Sequence, residues 1–166
     1  GDSQNIWWSD TVKLRVSGDT IVEGLSYKKI LTQFGTIEKI VRKEGTQYFG
    51  RNHELYGGFS WEYLFLDENL PAGSTWVHVK NEGQLKTEYV VEEVNATHVL
   101  HGIEYKDVIK LRANYYDSYT DGTTFEYRYF AEHYYAKGIG EIYANYPYPA
   151  SPIFGDLKIS ILPNPK

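Results

Sequence analysis

The chain has 166 residues, 42% hydrophobic and 16% aromatic, with a formal net charge of −5. That is enough apolar material for one ordinary core, so a disordered chain is excluded, and an acidic balance with no basic block argues against nucleic acid as a partner. Cysteine is absent, which excludes disulfides, zinc–thiolate sites and thiol nucleophiles.

In chain order, Asn5 to Val16 reads as a strand, because Val12, Leu14 and Val16 alternate with Lys13 and Arg15. Glu23-Gly24 between β-formers predicts a tight hairpin with a primed turn, in which Gly supplies positive φ. Val22 should then face Leu25, Thr20 face Tyr27, and Asp19 face Lys28, each pair worth roughly 0.2–1 kcal/mol. Glu is a poor occupant of positive φ, so a bulged turn at Glu23 stays open. Tyr27 to Phe34 also carries helical spacing but reads as the return strand. Thr36 to Arg42 alternates again, and Gln47 to Asn52 returns from a turn at Lys43–Thr46. Trp61, Tyr63 and Phe65 share one face of a strand, and Trp61 and Trp76 read as core. Thr75 to Lys80 and Leu85 to Val94 form a hairpin about Asn81-Glu82-Gly83.

The hairpin phrase then returns. Gly24-Leu25-Ser26-Tyr27-Lys28-Lys29-Ile30 is echoed by Gly102-Ile103-Glu104-Tyr105-Lys106-Asp107-Val108, 78 positions later. Repetition at about half the chain length indicates a duplicated unit, and here Leu100 should face Ile103 and His98 face Tyr105. Beyond a polar turn at Asp117–Thr123, residues Phe125, Tyr127, Tyr129, Ala131, His133 and Tyr135 fall on one strand face. Gly138 and Gly140 mark a bend or bulge. Leu157, Ile159 and Ile161 make a last strand. The expected fold is all-β: an antiparallel meander of about ten strands forming a barrel, half-barrel or sandwich. It is a single domain, 1–166, with two related halves at roughly 18–95 and 96–162.

Three stretches carry a resemblance. Gly18-Asp19-Thr20-Ile21 with Gly24, Tyr27, Lys28 and Lys29, the segment Asn95 to Val108, and Tyr134-Tyr135-Ala136-Lys137-Gly138-Ile139-Gly140-Glu141-Ile142 resemble, in order, phrases of secreted β-rich proteins from Bacteroidetes-type bacteria. The resemblance implies an exported chain, periplasmic or on the outer surface, and no particular activity. Many such proteins are lipoproteins; the Cys that would carry lipid is absent here, so an anchor would lie on a removed N-terminal segment. The lack of Met fits a processed N-terminus, and no apolar run reaches the roughly 18–20 residues of a membrane span. Asp10-Thr11-Val12 and Asp19-Thr20-Ile21 also resemble the O-glycosylation acceptor of these bacteria, which marks Thr11 and Thr20.

No chemical motif stands out. His98-x-x-His101 is not a convergent metal pair on a strand, and His133 on its apolar face reads as a satisfied core or rim histidine. The carboxylates show no spacing that singles out a glycosidase pair. No nucleophile elbow or phosphate loop is present. No cofactor or metal is implied, and catalysis is not expected. The aromatic residues are the functional material: Trp7, Trp8, Trp61 and Trp76, with Tyr115, Tyr116, Tyr119, Tyr146 and Tyr148, could form a stacking platform, although the core reading is preferred for Trp61 and Trp76; Trp7, Trp8, Tyr146 and Tyr148 are the chief candidates, with His98 and Tyr105 as further ligand contacts. The expected function is a non-catalytic binding or accessory module for a glycan, small molecule or protein. The alternative is a lipocalin-like or half-barrel carrier of an apolar ligand, with a carboxylate-dependent hydrolase behind it. An open aromatic-lined interior would favour the carrier.

Overall fold

A computed structural model describes residues 11–54, 56–80, 84–100, 102–118, 123–146 and 157–161; for 11–13, 146 and 157–161 only the backbone is considered. The strands are β1 (Thr11–Val22), β2 (Leu25–Thr32), β3 (Ile37–Glu44), β4 (Gln47–Asn52), β5 (Tyr63–Asp67), β6 (Thr75–Lys80), β7 (Leu85–Leu100), β8 (Ile103–Asp117), β9 (Glu126–Ala136), β10 (Gly140–Tyr146) and β11 (Leu157–Ile161). Among the described residues there is no helix long and apolar enough to cross a membrane.

The strands form one sheet in the order β5-β4-β3-β2-β1-β11-β10-β9-β8-β7-β6. Two five-stranded antiparallel meanders, β1–β5 and β6–β10, are bridged by β11, which is antiparallel to β10 and parallel to β1. That parallel ladder is the one departure from an all-antiparallel meander. It lets the first strand meet the last, so the two meanders curl toward each other.

Both hairpins adopt the expected register. Val22 pairs with Leu25, Thr20 with Tyr27 and Asp19 with Lys28; the last pair closes an ion pair at 2.6 Å. Leu100 pairs with Ile103 and His98 with Tyr105. Glu23 itself takes φ 53 and Gly24 φ 79, so the first turn is the two-residue primed form despite the cost of a Glu there.

The curl stops short of a barrel. The terminal strands β5 and β6 share no backbone ladder, and side chains bridge their seam. Trp76 Nε1 donates to the Leu64 carbonyl (3.0 Å), and the Tyr63 and His78 rings lie 5.2 Å apart. The loop between them is tied to β7, with Gly73 N–H donating to the Val91 carbonyl and Val91 N–H to that of Ser74. Inside the curl, Phe65 and Leu66 from the first meander pack on Tyr89, Val91, Ile109, Leu111, Ala113 and Tyr135 from the second.

Two expectations are corrected. Trp61 precedes β5 and is 81% exposed, whereas Trp76 is half-buried and stacks on Tyr89 at 5.2 Å. The β4–β5 loop is the cause: the His53–Phe59 bridge and the Ser60 N–H to Asn52 carbonyl bond fold it back before β5 begins. On β9, Ala131, His133 and Tyr135 are buried as expected, but a register shift beside Tyr116 puts Tyr127 on the outer face, half exposed. One extra residue in a ladder reverses every side chain beyond it.

Candidate functional site

The interior of the curl is not filled. A chamber of about 400 Å³ is walled by Tyr63, Phe65, Tyr89, Tyr115 and Tyr135, with Asn52, His53, Lys39, His133 and Glu141 contributing polar groups. These residues come from both meanders. Lys39 sits on β3, in register with Ile30 of β2 and Asn52 of β4. His133 and Tyr135 project from β9, and Glu141, the second residue of β10, lies opposite Tyr135.

In the chamber wall a single carboxylate ties the two meanders together. Lys39 Nζ donates to Glu141 Oε2 at 3.1 Å, and His133 Nδ1 lies 2.6 Å from Glu141 Oε1. A carboxylate only accepts, so Nδ1 carries the proton in that contact. Burial by itself would raise the Glu141 carboxyl, but Lys39 and His133 outweigh it and hold the group ionised, at about 2. Burial likewise works against the Lys39 ammonium, and Glu141 overrides it and raises its pKa. The pair is therefore a persistent charged contact in the chamber wall. Lys39 Nζ also lies 5.5 Å from the centre of the Phe65 ring, and Phe65 faces Tyr135 at 5.9 Å.

Burial pushes the Tyr63 and Tyr115 phenols up, so both stay protonated as donors. Tyr63 donates to Asn52 Oδ1 (2.9 Å), and Tyr115 stacks on Tyr129 at 4.7 Å. Gly50 makes room for this wall: a Cβ there would stand 3.2 Å from Phe65 Cδ1 and 3.3 Å from Tyr63 Cζ. Among the described residues no buried side-chain polar atom lacks a hydrogen-bond partner.

Two further cavities adjoin the chamber. An outer vestibule of about 460 Å³ shares Asn52, His53, Tyr63, Tyr89 and Tyr115 with it and adds Tyr56, Ser60, Trp61, His78, Lys80 and Thr87. Burial, then the nearby Lys80, lowers the His78 pKa, so that ring is neutral at pH 7. On the opposite side a smaller, mostly apolar cavity of about 190 Å³ is lined by Val16, Ile30, Val41, Leu66, Ile109 and Ile139 among others. Lys39, Phe65, Tyr135 and Glu141 border both it and the chamber.

No protein-family model, curated protein or solved structure matches this chain. The site is therefore read from its own geometry.

Of the residues singled out from the sequence, Tyr115 lines the chamber and the vestibule, His133 the chamber and Trp61 the vestibule, while the others fall elsewhere. Trp7, Trp8, Tyr119 and Tyr148 lie outside the described residues, and Tyr146 is described only as the backbone partner of Leu157. His98 bonds Glu93 at 2.8 Å and meets the Tyr134 ring edge-on at 5.1 Å. Tyr105 packs on a separate cluster of Val108, Ala136 and Ile142. Neither His98 nor Tyr105 lines any of the three cavities. Thr11 pairs with Lys158, and Thr20, half-buried, pairs with Tyr27. His133 is a satisfied histidine at the chamber wall, as its strand face implied. Among the described residues no three His, Asp or Glu side chains gather as a metal centre would need.

Chemically, the chamber offers flat aromatic faces beside fixed donors and acceptors. Glycosidase chemistry asks one carboxyl to hold a proton at neutral pH. Glu141 is held in the opposite state.

Proposed function

We propose that this protein is a non-catalytic binding module that takes a sugar-like ligand inside the curl of its sheet. The carrying observation is the chamber: about 400 Å³, within the range of small-molecule sites, lined by Tyr rings and closed by the Lys39–Glu141–His133 cluster. The C–H faces of a pyranose complement the negative face of an aromatic ring, and its hydroxyls suit Asn52, Tyr63 and Glu141. A purely apolar ligand would make no use of the outward-facing hydrogen-bonding capacity of these groups, which already satisfy one another. Export to a periplasm or cell surface is part of this proposal and rests on the motif resemblance alone.

A second reading, the apolar carrier, is favoured by the smaller cavity, because an apolar cavity of about 150 Å³ stays dry and accepts benzene. Titration with hexoses, N-acetylhexosamines and a medium-chain fatty acid separates the two. Intrinsic fluorescence should respond saturably to a sugar, and Tyr115→Leu should weaken that response tenfold or more while the thermal midpoint stays near wild type. Saturation by the fatty acid alone would replace the sugar reading with the carrier.

A further inference from the structure

We infer that the ligand is a short oligosaccharide bound end-on, one terminus in the chamber and the next unit stacked on Trp61 in the vestibule. This rests on the sugar-binding reading above and deepens it. Chamber and vestibule adjoin, because Asn52, His53, Tyr63, Tyr89 and Tyr115 line both, so a ligand of two or more linked rings could reach from one into the other. A single small ring would occupy the chamber and leave the larger vestibule unused.

Trp61 is held out on purpose-built backbone. Before it, Ser60 Oγ accepts from Asn52 N–H (2.9 Å) and donates to the Trp61 carbonyl (3.1 Å). After it, Glu62 is gripped by Arg42 through Nε (2.7 Å) and Nη2 (2.6 Å) and by the Tyr27 hydroxyl. Arg42 outweighs partial burial and holds Glu62 below the usual carboxylate range. Arg51, itself buried, supports Tyr27 at 3.0 Å and is capped by Glu23 at 2.5 Å. With its backbone flanks held on both sides, the 81% exposed indole can stack on a ligand without the loop itself having to be ordered. Ser60, Lys80 and Thr87 beside it supply donors and acceptors for hydroxyls, which a lipid tail would not use.

The test is calorimetric titration of a monosaccharide and its trisaccharide against wild type, Trp61→Ala, Trp61→Tyr and Tyr115→Leu. The trisaccharide should bind wild type roughly tenfold tighter or better, the scale of one ring contact. Trp61→Ala should erase that advantage and leave monosaccharide affinity unchanged, and Trp61→Tyr should restore part of it. Equal affinity of the two sugars for wild type, or an advantage that survives in Trp61→Ala, overturns the inference. A trisaccharide sensitive to Trp61→Ala but indifferent to Tyr115→Leu sinks the chamber reading and leaves a surface platform at Trp61. No binding of either sugar ends both.

Discussion

Two ionic clusters in this protein are built from similar parts and face different things. In the inner one, Lys39 and His133 converge on Glu141 across the curl. In the outer one, Arg42 and Tyr27 converge on Glu62, with Arg51 and Glu23 behind them. Each satisfies a carboxylate with at least one contact distant in sequence. The inner cluster borders two cavities, whereas Arg42, Arg51 and Glu62 line none of the three. Polar groups that close on themselves brace a loop. Polar groups that close on themselves beside open space are where the proposed ligand would sit. The predictions separate these roles.

The largest effect belongs to the inner cluster. Lys39→Met leaves the Glu141 carboxylate buried without its cation, and breaking a buried pair this way costs about 3–5 kcal/mol. Urea unfolding should show that loss, and Lys39→Met/Glu141→Met should recover most of it, since an apolar pair of similar size removes the unpaired charge. A double variant as unstable as the single would mean the pair is needed for its geometry.

The same carboxylate predicts a pH signature. Glu141 has a folded pKa of about 2 against an ordinary 4.5, so its ionisation stabilises the fold fully above about pH 4.5. That contribution is lost as pH falls from about 4.5 toward about 2. The Lys39 pKa is raised above 10.5, so its share holds below that value and is lost as pH rises beyond it. Glu141→Gln should therefore lose less stability than wild type between pH 5 and 3. Other lowered carboxyls, Glu62, Asp67 and Glu68, remain in both proteins, and the comparison cancels them. Parallel acid limbs would refute the assignment.

For the outer cluster, Glu62→Gln weakens a bidentate, charge-assisted contact and should cost about 1–3 kcal/mol. Monosaccharide affinity should not change, because Glu62 reaches no cavity. Gly50→Ala comes next, at about 1 kcal/mol, because the new methyl presses on Phe65 and Tyr63 and rings of this size can yield by a few tenths of an ångström. It should weaken chamber binding along with stability, unlike Glu62→Gln.

The hairpin registers were legible because a turn and its flanks are local: x-Gly between β-formers sets which residues face. The all-β class and the approximate strand count follow in the same way. The chamber was not legible. Lys39 lies among Ile37, Ile40 and Val41, where both faces of β3 are partly covered, so alternation cannot say which side the ammonium takes. Its partner Glu141 is more than a hundred residues away and reaches it only because β11 bridges the meanders. His133 was the available signal: a histidine on an apolar face needs a partner, and the bend at Gly138–Gly140 brings Glu141 back toward its strand. Trp61 was misplaced because Trp61-Tyr63-Phe65 continues a period that the folded-back loop interrupts. The register shift that moved Tyr127 outward has no local marker in the residues around it.

The smallest effect tests how the repeated hairpin was adapted. Glu23 occupies positive φ, which costs a non-glycine residue on the order of 1 kcal/mol. In exchange its carboxylate caps Arg51 at 2.5 Å, but Glu23 is mostly exposed, where such a contact is worth about 0–1 kcal/mol. These terms nearly cancel. Glu23→Asn relieves the backbone, since Asn tolerates the left-handed region, and gives up the cap. Stability should stay within about 1 kcal/mol of wild type. The informative readout is the trisaccharide advantage. If Arg51 needs its cap to hold Tyr27, and through it Glu62 and Trp61, that advantage should shrink while stability does not. An unchanged advantage would confine the cap to the turn and leave Arg42 as the brace that sets Trp61.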